Sequence, residues 1–306
     1  MKYFSAASFI TSCLLAPAAL SAQEQGDEAD EESIIVEGLR WQEQLEVVEE
    51  QAEAVIRPVR NGDPAPRFFD RICLTTWGID PGFAAVLTER VKANAIEAGA
   101  RINDDPDCRP NALVAMVSDL DSDFAKLRKD HAWIFGEMKR FQIDRARQGS
   151  GAAAAWNVTE LRGKDGVPFS SVDANDIAPA SRPAGTPVAV NTQRSASLVR
   201  PPIRQDMIFS VAIFDEGDIA GRTIRQLADY ATMRLLAPVK EPETEPPATA
   251  QTILSLFSFP EAAPEAITGF DKAFLRALYL LPSTARDSQL IDATSSEYRK
   301  QLKTSG

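Results

Sequence analysis

Apolar residues recur along the chain at two kinds of spacing, and each kind predicts a different element. A three- and four-residue spacing is typical of one face of a helix, whereas a short continuous or alternating apolar run is typical of a strand. The helical spacing predicts helices over 41–56, 81–98, 124–135, 137–147, 223–236, 267–281 and 284–304. The second pattern predicts strands over 67–74, 112–117, 153–162, 197–200 and 207–214.

Breaks between these stretches divide the chain. The composition of Asn61–Pro66 predicts a linker. We therefore place the start of the main domain at residue 62 and treat 23–61 as a leader with a short helix. Pro238–Thr249 is heavy in Pro and Glu and is predicted to be a second linker. Residues 170–195 carry few large apolar side chains and are predicted to form a long surface loop.

The order of the elements predicts an α/β (α+β) fold. Strands alternate with helices up to residue 214, which favours a mixed sheet packed by helices. Helices alone follow, so a helical C-terminal part is expected over about 223–306. We treat 62–306 as a single domain, because the sequence shows no internal repeat.

The first residues resemble an export signal. Lys2 supplies a positive charge, and Phe9–Leu20 is apolar but too short to span a bilayer. Small residues around Ala22 predict cleavage after it, and hence a periplasmic or secreted protein. In an alternative reading Cys13 is lipidated, as in a lipoprotein. No later segment is apolar enough to cross a membrane.

Cleavage after Ala22 would leave two cysteines, Cys73 and Cys108. In an oxidising compartment an even cysteine count predicts a disulfide bond between them. The alternative is a pair of buried free thiols. A Cys-x-x-Cys motif is absent from the sequence, so a thiol oxidoreductase is not expected.

The formal charge of −11 bears on possible partners. Nucleic-acid binding needs a surplus of Lys and Arg on one face, so a nucleic-acid partner is not expected. An acidic surface also disfavours adsorption to anionic lipid. Much of the excess is local, because Glu24–Glu50 is dense in carboxylates and contains only Arg40 as a positive charge. Residues 23–33 are predicted to be disordered.

A short β-prone run, Ser33–Gly38, interrupts this acidic leader. It resembles the Ile-Val-Val-Thr-Gly type of segment near the start of many TonB-dependent outer-membrane receptors. The resemblance implies an extended peptide that pairs with a sheet edge of TonB. The alternative is an ordinary short strand or linker, because motifs of this length occur widely.

The last third of the chain carries a second resemblance. The strand 207–214, the turn Asp215–Asp218 and the helix 223–236 resemble the active-site frame of zincin-type peptidases and of secreted bacterial proteins with a similar layout. Downstream, Thr268–Asp271 resembles the Thr-x-x-Asp turn that opens the next helix in such peptidases. The resemblance implies a zincin-like frame with an edge strand beside the active-site helix.

The metal ligands of that family are missing here. A zincin needs two histidines one helical turn apart and a Glu between them. This chain has Gln226 and Tyr230 at the histidine positions and Leu227 at the position of the base. Its single histidine, His131, lies far away in sequence. We therefore predict no zinc peptidase activity, no catalytic residue, no metal and no cofactor.

What remains is a predicted binding groove at the junction of strand and helix. Its candidate residues are Gln226, Asp229, Tyr230, Asp215, Glu216 and Asp218. The favoured function is an exported, non-catalytic pseudo-metallopeptidase that binds a protein or peptide partner. The alternatives are a hydrolase that uses these carboxylates, a TonB-linked accessory factor, and an ordinary helix face that packs against the sheet.

A calcium loop is a further candidate that the sequence disfavours. Asp119, Asp121 and Asp123 have the spacing of such a loop, and Asp130 falls at its twelfth position. Phe124, however, occupies the position that requires Gly. The interpretation we favour is a helix N-terminus, where carboxylates accept hydrogen bonds from unpaired N–H groups.

Overall fold

A computed structural model describes residues 26–58, 63–168, 170–173, 187–190 and 203–305. For 26–40, 170–173, 187–190 and 305 it describes the backbone alone. The chain divides into two compact units, residues 1–42 and 43–306. The larger unit contains the sheet, the second half of the first helix and all later helices, and it starts earlier than the predicted domain boundary at residue 62.

Seven α-helices and six strands are present in the described parts of the chain. The helices are α1 Gly26–Val55, α2 Pro81–Ala98, α3 Leu120–Asp130, α4 Arg140–Ala146, α5 Ile224–Leu236, α6 Gly269–Leu280 and α7 Asp287–Ser305. The strands are β1 Leu74–Trp77, β2 Ala112–Val117, β3 Ala153–Gly163, β4 Ser170–Asp173, β5 Pro187–Val190 and β6 Ile203–Asp215. Short 3₁₀ turns occur at Ala132–Phe135, Ala248–Ala250 and Ile253–Ser255.

Four strands form one mixed sheet in the order β1-β2-β6-β3. β1, β2 and β6 are parallel, and β3 runs antiparallel to β6 over its whole length. The predicted mixed α/β architecture is therefore confirmed. The strand expected at 207–214 is part of β6, but β6 lies between β2 and β3 and is not an edge strand. The zincin-like frame needs an edge strand at that place, and the edges of this sheet are β1 and β3.

Alternating side chains of the central strands enter two separate cores, one on each face of the sheet. In β6, Ala212 and Phe214 belong to the first core, whereas Val211 and Ile213 belong to the second. The first core is covered by α2, α5, α6, α7 and the end of α1. The second is covered by α3, the 3₁₀ turn 132–135 and α4. The sheet is therefore the middle of three layers.

Aromatic packing fills the second core. Trp156 on β3 is fully buried and stacks on Phe135, with ring centroids 4.8 Å apart. Phe124 on α3 meets both rings edge-on at 5.6 and 5.8 Å. The indole N–H of Trp156 donates to the carbonyl of Ile134 at 3.2 Å, so the polar end of the ring is satisfied.

The predicted disorder and the predicted start of the first helix were wrong for the described residues from 26 onward. Helix α1 begins at Gly26, whereas the sequence suggested disorder over 23–33 and a helix only from residue 41. The run 33–38 lies inside α1, so it is not an extended segment in this structure. The end of α1 confirms the predicted apolar stripe, because Val48, Ala52 and Val55 are fully buried. The predicted export signal over 1–22, and with it Cys13, lies outside the described residues.

Two further strand and loop predictions were inaccurate, and a third is not tested. The strand expected over 67–74 is instead β1, Leu74–Trp77, preceded by isolated bridges at Arg67 and Ile72. The loop expected over 170–195 contains β4 and β5, which pair as an antiparallel ribbon. The strand expected over 197–200 lies outside the described residues.

The segment Pro238–Thr249 is not a solvated linker. Val239 forms an antiparallel bridge with Ile56 at the end of α1, and the Lys240 N–H donates to Val55 at 2.8 Å. Val239 and Glu241 are buried. The segment therefore fastens α1 to the end of α5, and it brings a carboxylate into the interior.

The predicted disulfide bond between Cys73 and Cys108 is present, with Cα atoms 6.1 Å apart. Cys73 is buried just before β1, and Cys108 lies in the loop before β2. The bond therefore ties that loop to the start of the edge strand. No helix in the described part of the chain is long and apolar enough to cross a membrane.

Replacing both cysteines with alanine should lower the free energy of unfolding by about 2–4 kcal/mol, because the bond limits the entropy of the unfolded chain. Urea unfolding of the oxidised protein and of the Cys73→Ala/Cys108→Ala variant would measure the difference. Reduced wild-type protein should match the variant. Equal stability of oxidised and reduced wild type would show that the bond contributes nothing.

Candidate functional site

Helix α5 starts with a complete capping box, and one predicted groove residue is part of it. The Thr223 hydroxyl accepts from the Gln226 N–H at 3.1 Å, and the Gln226 side-chain oxygen accepts from the Thr223 N–H at 3.0 Å. The side-chain amide of Gln226 also donates to the carbonyl of Pro264 at 3.0 Å. Gln226 therefore fixes the start of the helix and ties it to a later loop.

Asp229 is completely buried one turn further along α5. It accepts two hydrogen bonds from the Arg90 guanidinium, at 2.7 and 2.9 Å, and one from the Asn94 amide at 2.7 Å. A fourth comes from the backbone N–H of Ile267 at 2.7 Å. The hydrogen bond with Asp229 raises the pKa of Arg90. This carboxylate joins α5 to α2 and to the segment before α6.

Tyr230 is also fully buried and belongs to a second polar cluster. Its hydroxyl donates to Glu241 at 2.8 Å and accepts from the Arg234 guanidinium at 2.6 Å. Burial raises the pKa of Tyr230, so the phenol stays protonated. Glu241 also accepts from the N–H of Ser150 at 2.9 Å. The tyrosine thus connects α5 to the segment after it and to the turn before β3.

The acidic turn after β6 lies at the surface. Asp215 is half-buried and accepts from the N–H groups of Leu120 and Gly217, each at 2.9 Å. Its carboxylate therefore caps the start of α3 and closes the turn itself. Glu216 and Asp218 are exposed.

The six candidate residues do not meet at one surface. Gln226, Asp229 and Tyr230 are enclosed among helices and hydrogen-bonded to protein groups, whereas Glu216 and Asp218 face solvent. The structure therefore gives the three helix residues a packing role. A peptide groove built from all six stays a prediction.

The expected Thr-x-x-Asp turn is confirmed at the start of α6. The Asp271 carboxylate accepts from the Thr268 N–H at 3.0 Å, and also from the Ile253 N–H at 2.8 Å and the Thr252 hydroxyl at 2.5 Å. Burial raises the pKa of Asp271 to about 6, and these donors oppose the rise. The residue organises the 3₁₀ turn after Thr252 as well as the helix.

The acidic run 119–123 is a helix N-terminus, as expected. Asp119 caps α3 through the Ser122 N–H at 2.9 Å, and Asp121 and Asp123 each form an ion pair with a neighbouring cation. His131 is exposed at the end of α3. Within the described ranges no group of three His, Cys, Asp or Glu side chains could hold a metal ion.

An open sheet edge is the binding feature that the sequence did not indicate. β1 is the outer strand, and only the bridge between Ile72 and Ile102 pairs with its outer side within the described residues. Trp77, the last residue of β1, leaves 63 % of its surface exposed. Aromatic side chains are enriched at the centres of protein interfaces.

The hydrogen bonds before β1 show which backbone groups face outward. Ile72 exchanges hydrogen bonds with the segment 101–103 on the outer side, while the Cys73 carbonyl accepts from the N–H of Ala112 on the inner side. Since successive residues of a strand alternate, Leu74 and Thr76 present their N–H and C=O groups to the outer side. The prediction of a strand over 67–74 stopped one residue into β1 and therefore missed Trp77.

Comparison with known proteins adds no assignment, because no family model, no curated protein and no solved structure matches the chain. The side chains of Gln226, Asp229 and Tyr230 on α5 form hydrogen bonds within the protein, so a partner would bind at the exposed surfaces.

Proposed function

We propose that this is a non-catalytic protein that binds an extended peptide segment of a partner along the outer edge of β1. The observation that supports this is the open edge ending in an exposed Trp77. An added strand would pair with the outward groups of Leu74 and Thr76, which supplies affinity through the main chain. Its side chains would lie beside the indole ring, which supplies selectivity.

Action outside the cytoplasm is part of the proposal. The disulfide bond Cys73–Cys108 supports it, because such bonds persist in oxidising compartments. The expected export signal over 1–22 agrees with this location. The bond also fixes the loop that borders the start of β1, so it would hold the binding edge in shape.

The other hypotheses draw less support from the geometry. A hydrolase built on Asp215, Glu216, Asp218 and Asp229 would need converging carboxylates, yet Asp229 is enclosed and paired with Arg90. A pseudo-metallopeptidase remains compatible with the order of β6, turn and α5. A TonB contact through 33–38 would require that part of α1 to unwind into a strand.

Short synthetic peptides in which Val or Ile alternates with Thr or Lys should bind with micromolar affinity and shift the fluorescence of Trp77. The variant Thr76→Pro removes one outward N–H while proline remains tolerated in an edge strand, so it should weaken binding at least about tenfold. The variant Trp77→Ser should also weaken binding. Fluorescence titration and isothermal calorimetry would measure both.

A matched control is Ile96→Ser, which removes another exposed apolar side chain, on α2. It should leave peptide affinity unchanged. The proposal is overturned if no peptide of this kind binds, or if Thr76→Pro binds as tightly as the wild type. Circular dichroism of each variant confirms that the fold is retained.

A further inference from the structure

A local surplus of positive charge interrupts this acidic chain. Residues 126–147 contain seven Lys or Arg against three Asp or Glu, although the whole chain carries −11. This segment comprises the last five residues of α3, the 3₁₀ turn 132–135 and α4. We call its solvent-facing side the α3–α4 face. The rest of the chain holds all of the negative excess, so the charge of the protein is strongly uneven.

Some of these cations hold the two helices together. Arg128 on α3 pairs with Asp144 on α4 at 2.9 Å, and Arg147 pairs with Asp121 at 2.7 Å. These bonds fix the arrangement of α3 and α4. They leave other cations of the segment for contacts outside the protein.

Three cations of the α3–α4 face are free. Among the residues that the structure describes, Lys129, Lys139 and Arg140 form no ion pair, and all three are exposed. Positive charges that protrude unpaired are available to an anionic partner. The nearby Arg145 lies over the ring of Phe141 at 5.3 Å, which adds a fourth positive group to the same surface.

A shallow depression lies between α3 and the start of α4. It has a volume of about 530 Å³ and opens widely to solvent. Its lining consists of Asp121, Phe124, Ala125, Arg128, Lys129 and Arg140. Asp121 is paired with Arg147 and Arg128 with Asp144, so Lys129 and Arg140 are the charged side chains of the lining without an ion pair. A phosphate group matches the charge of these two side chains.

Two exposed aromatic rings accompany these charges. Trp133 leaves 74 % of its surface exposed, and Phe141 leaves 52 %. The neighbours of Trp133 in the 3₁₀ turn, Ile134 and Phe135, are buried in the second core. The turn is therefore anchored from below and holds the indole ring outward. Tryptophan beside basic residues is the combination found at membrane–water interfaces.

We propose that the α3–α4 face docks on a membrane surface rich in anionic lipid. Lys129, Lys139 and Arg140 would contact headgroup phosphates, and the rings of Trp133 and Phe141 would enter the interfacial layer. The acidic remainder of the protein would be repelled from the same surface, which sets one orientation. The net charge of the whole chain does not reveal this local surplus of positive charge. For that reason the sequence predicted no adsorption to anionic lipid.

The test measures binding of the mature protein to vesicles. Vesicles of equal parts phosphatidylglycerol and phosphatidylcholine should co-sediment the protein, whereas phosphatidylcholine alone should not. Each charge reversed should weaken binding by about fivefold or more, so Lys129→Glu/Arg140→Glu should lose at least about 25-fold. Trp133→Ser/Phe141→Ser should also bind more weakly, and the Trp133 emission should shift to the blue on binding.

Matched controls are Arg225→Glu, an exposed cation on α5, and Phe83→Ser, an exposed ring on α2. Both should bind vesicles as the wild type does. Equal binding to charged and neutral vesicles, or no binding at roughly 0.1 M salt, overturns the proposal. So does a result in which soluble polyaspartate binds through Lys129 and Arg140 while vesicles do not, because the partner would then be an acidic protein.

Discussion

Replacing Arg90 with alanine should lower the free energy of unfolding by about 2–4 kcal/mol, because it leaves the buried Asp229 carboxylate without its cation, while Arg90 itself is 31 % exposed. Asp229 is fully enclosed and takes two of its four hydrogen bonds from Arg90. The other donors, Asn94 and the Ile267 N–H, are neutral. The variant should therefore unfold at a clearly lower urea concentration.

Lys92→Ala is the matched control, because Lys92 lies on the same helix and pairs with Asp104 at 2.7 Å. Asp104 is largely exposed, so this change should cost at most about 1 kcal/mol. The double variant Arg90→Ala/Asp229→Asn should recover part of the loss, since it removes the unpaired charge. If Arg90→Ala were no more harmful than Lys92→Ala, the buried pair would not hold α2 against α5.

The sequence predicted the parts of this fold that depend on local patterns. The apolar run 112–117 and the strand within β6 were identified because a strand buried on both faces needs apolar residues almost throughout. The start of α5 was recognisable from Thr223, and that of α6 from Thr268, because capping depends on residues three apart. The disulfide bond followed from the cysteine count.

The neighbours of each strand could not be predicted in this way. Nothing local in 207–214 distinguishes an edge strand from a central one, so β6 was placed at an edge although it pairs on both sides. The partners of α5 were equally hidden. Asp229 contacts Arg90, which lies 139 residues away in the chain, and a carboxylate with such a partner looks the same in sequence as one in solvent.

Glu241 shows most clearly how composition alone can predict the wrong environment for a residue. It follows Pro238 in a stretch rich in Pro and Glu, yet only 4 % of its side chain is exposed. It accepts from the Tyr230 hydroxyl and from the N–H of Ser150. Arg234, which is buried as well, lies 3.9 Å away. A second arginine, Arg57, has a lowered pKa, because it is buried and because the positive charge of Arg234 is nearby.

Replacing Glu241 with glutamine should cost about 3–5 kcal/mol, because the change keeps the shape but leaves the buried Arg234 without its negative neighbour. Arg234 already has one buried nitrogen, Nη2, with no hydrogen-bond partner. The side-chain amide of glutamine would also place an N–H donor where the carboxylate now accepts a hydrogen bond from the Ser150 N–H or from the Tyr230 hydroxyl. Urea unfolding, followed by the fluorescence of the buried Trp156, would measure the loss.

Glu243→Gln is the matched control two residues further on. Glu243 pairs with Lys240 at 2.7 Å but is largely exposed, so its variant should unfold almost as the wild type does. The double variant Glu241→Gln/Arg234→Met should be more stable than Glu241→Gln alone, because it removes the charge left uncompensated. If the two glutamine variants were equally stable, Glu241 would not balance the buried guanidinium. A loss confined to Glu241→Gln, and relieved by Arg234→Met, would assign the energy to that charge pair rather than to packing.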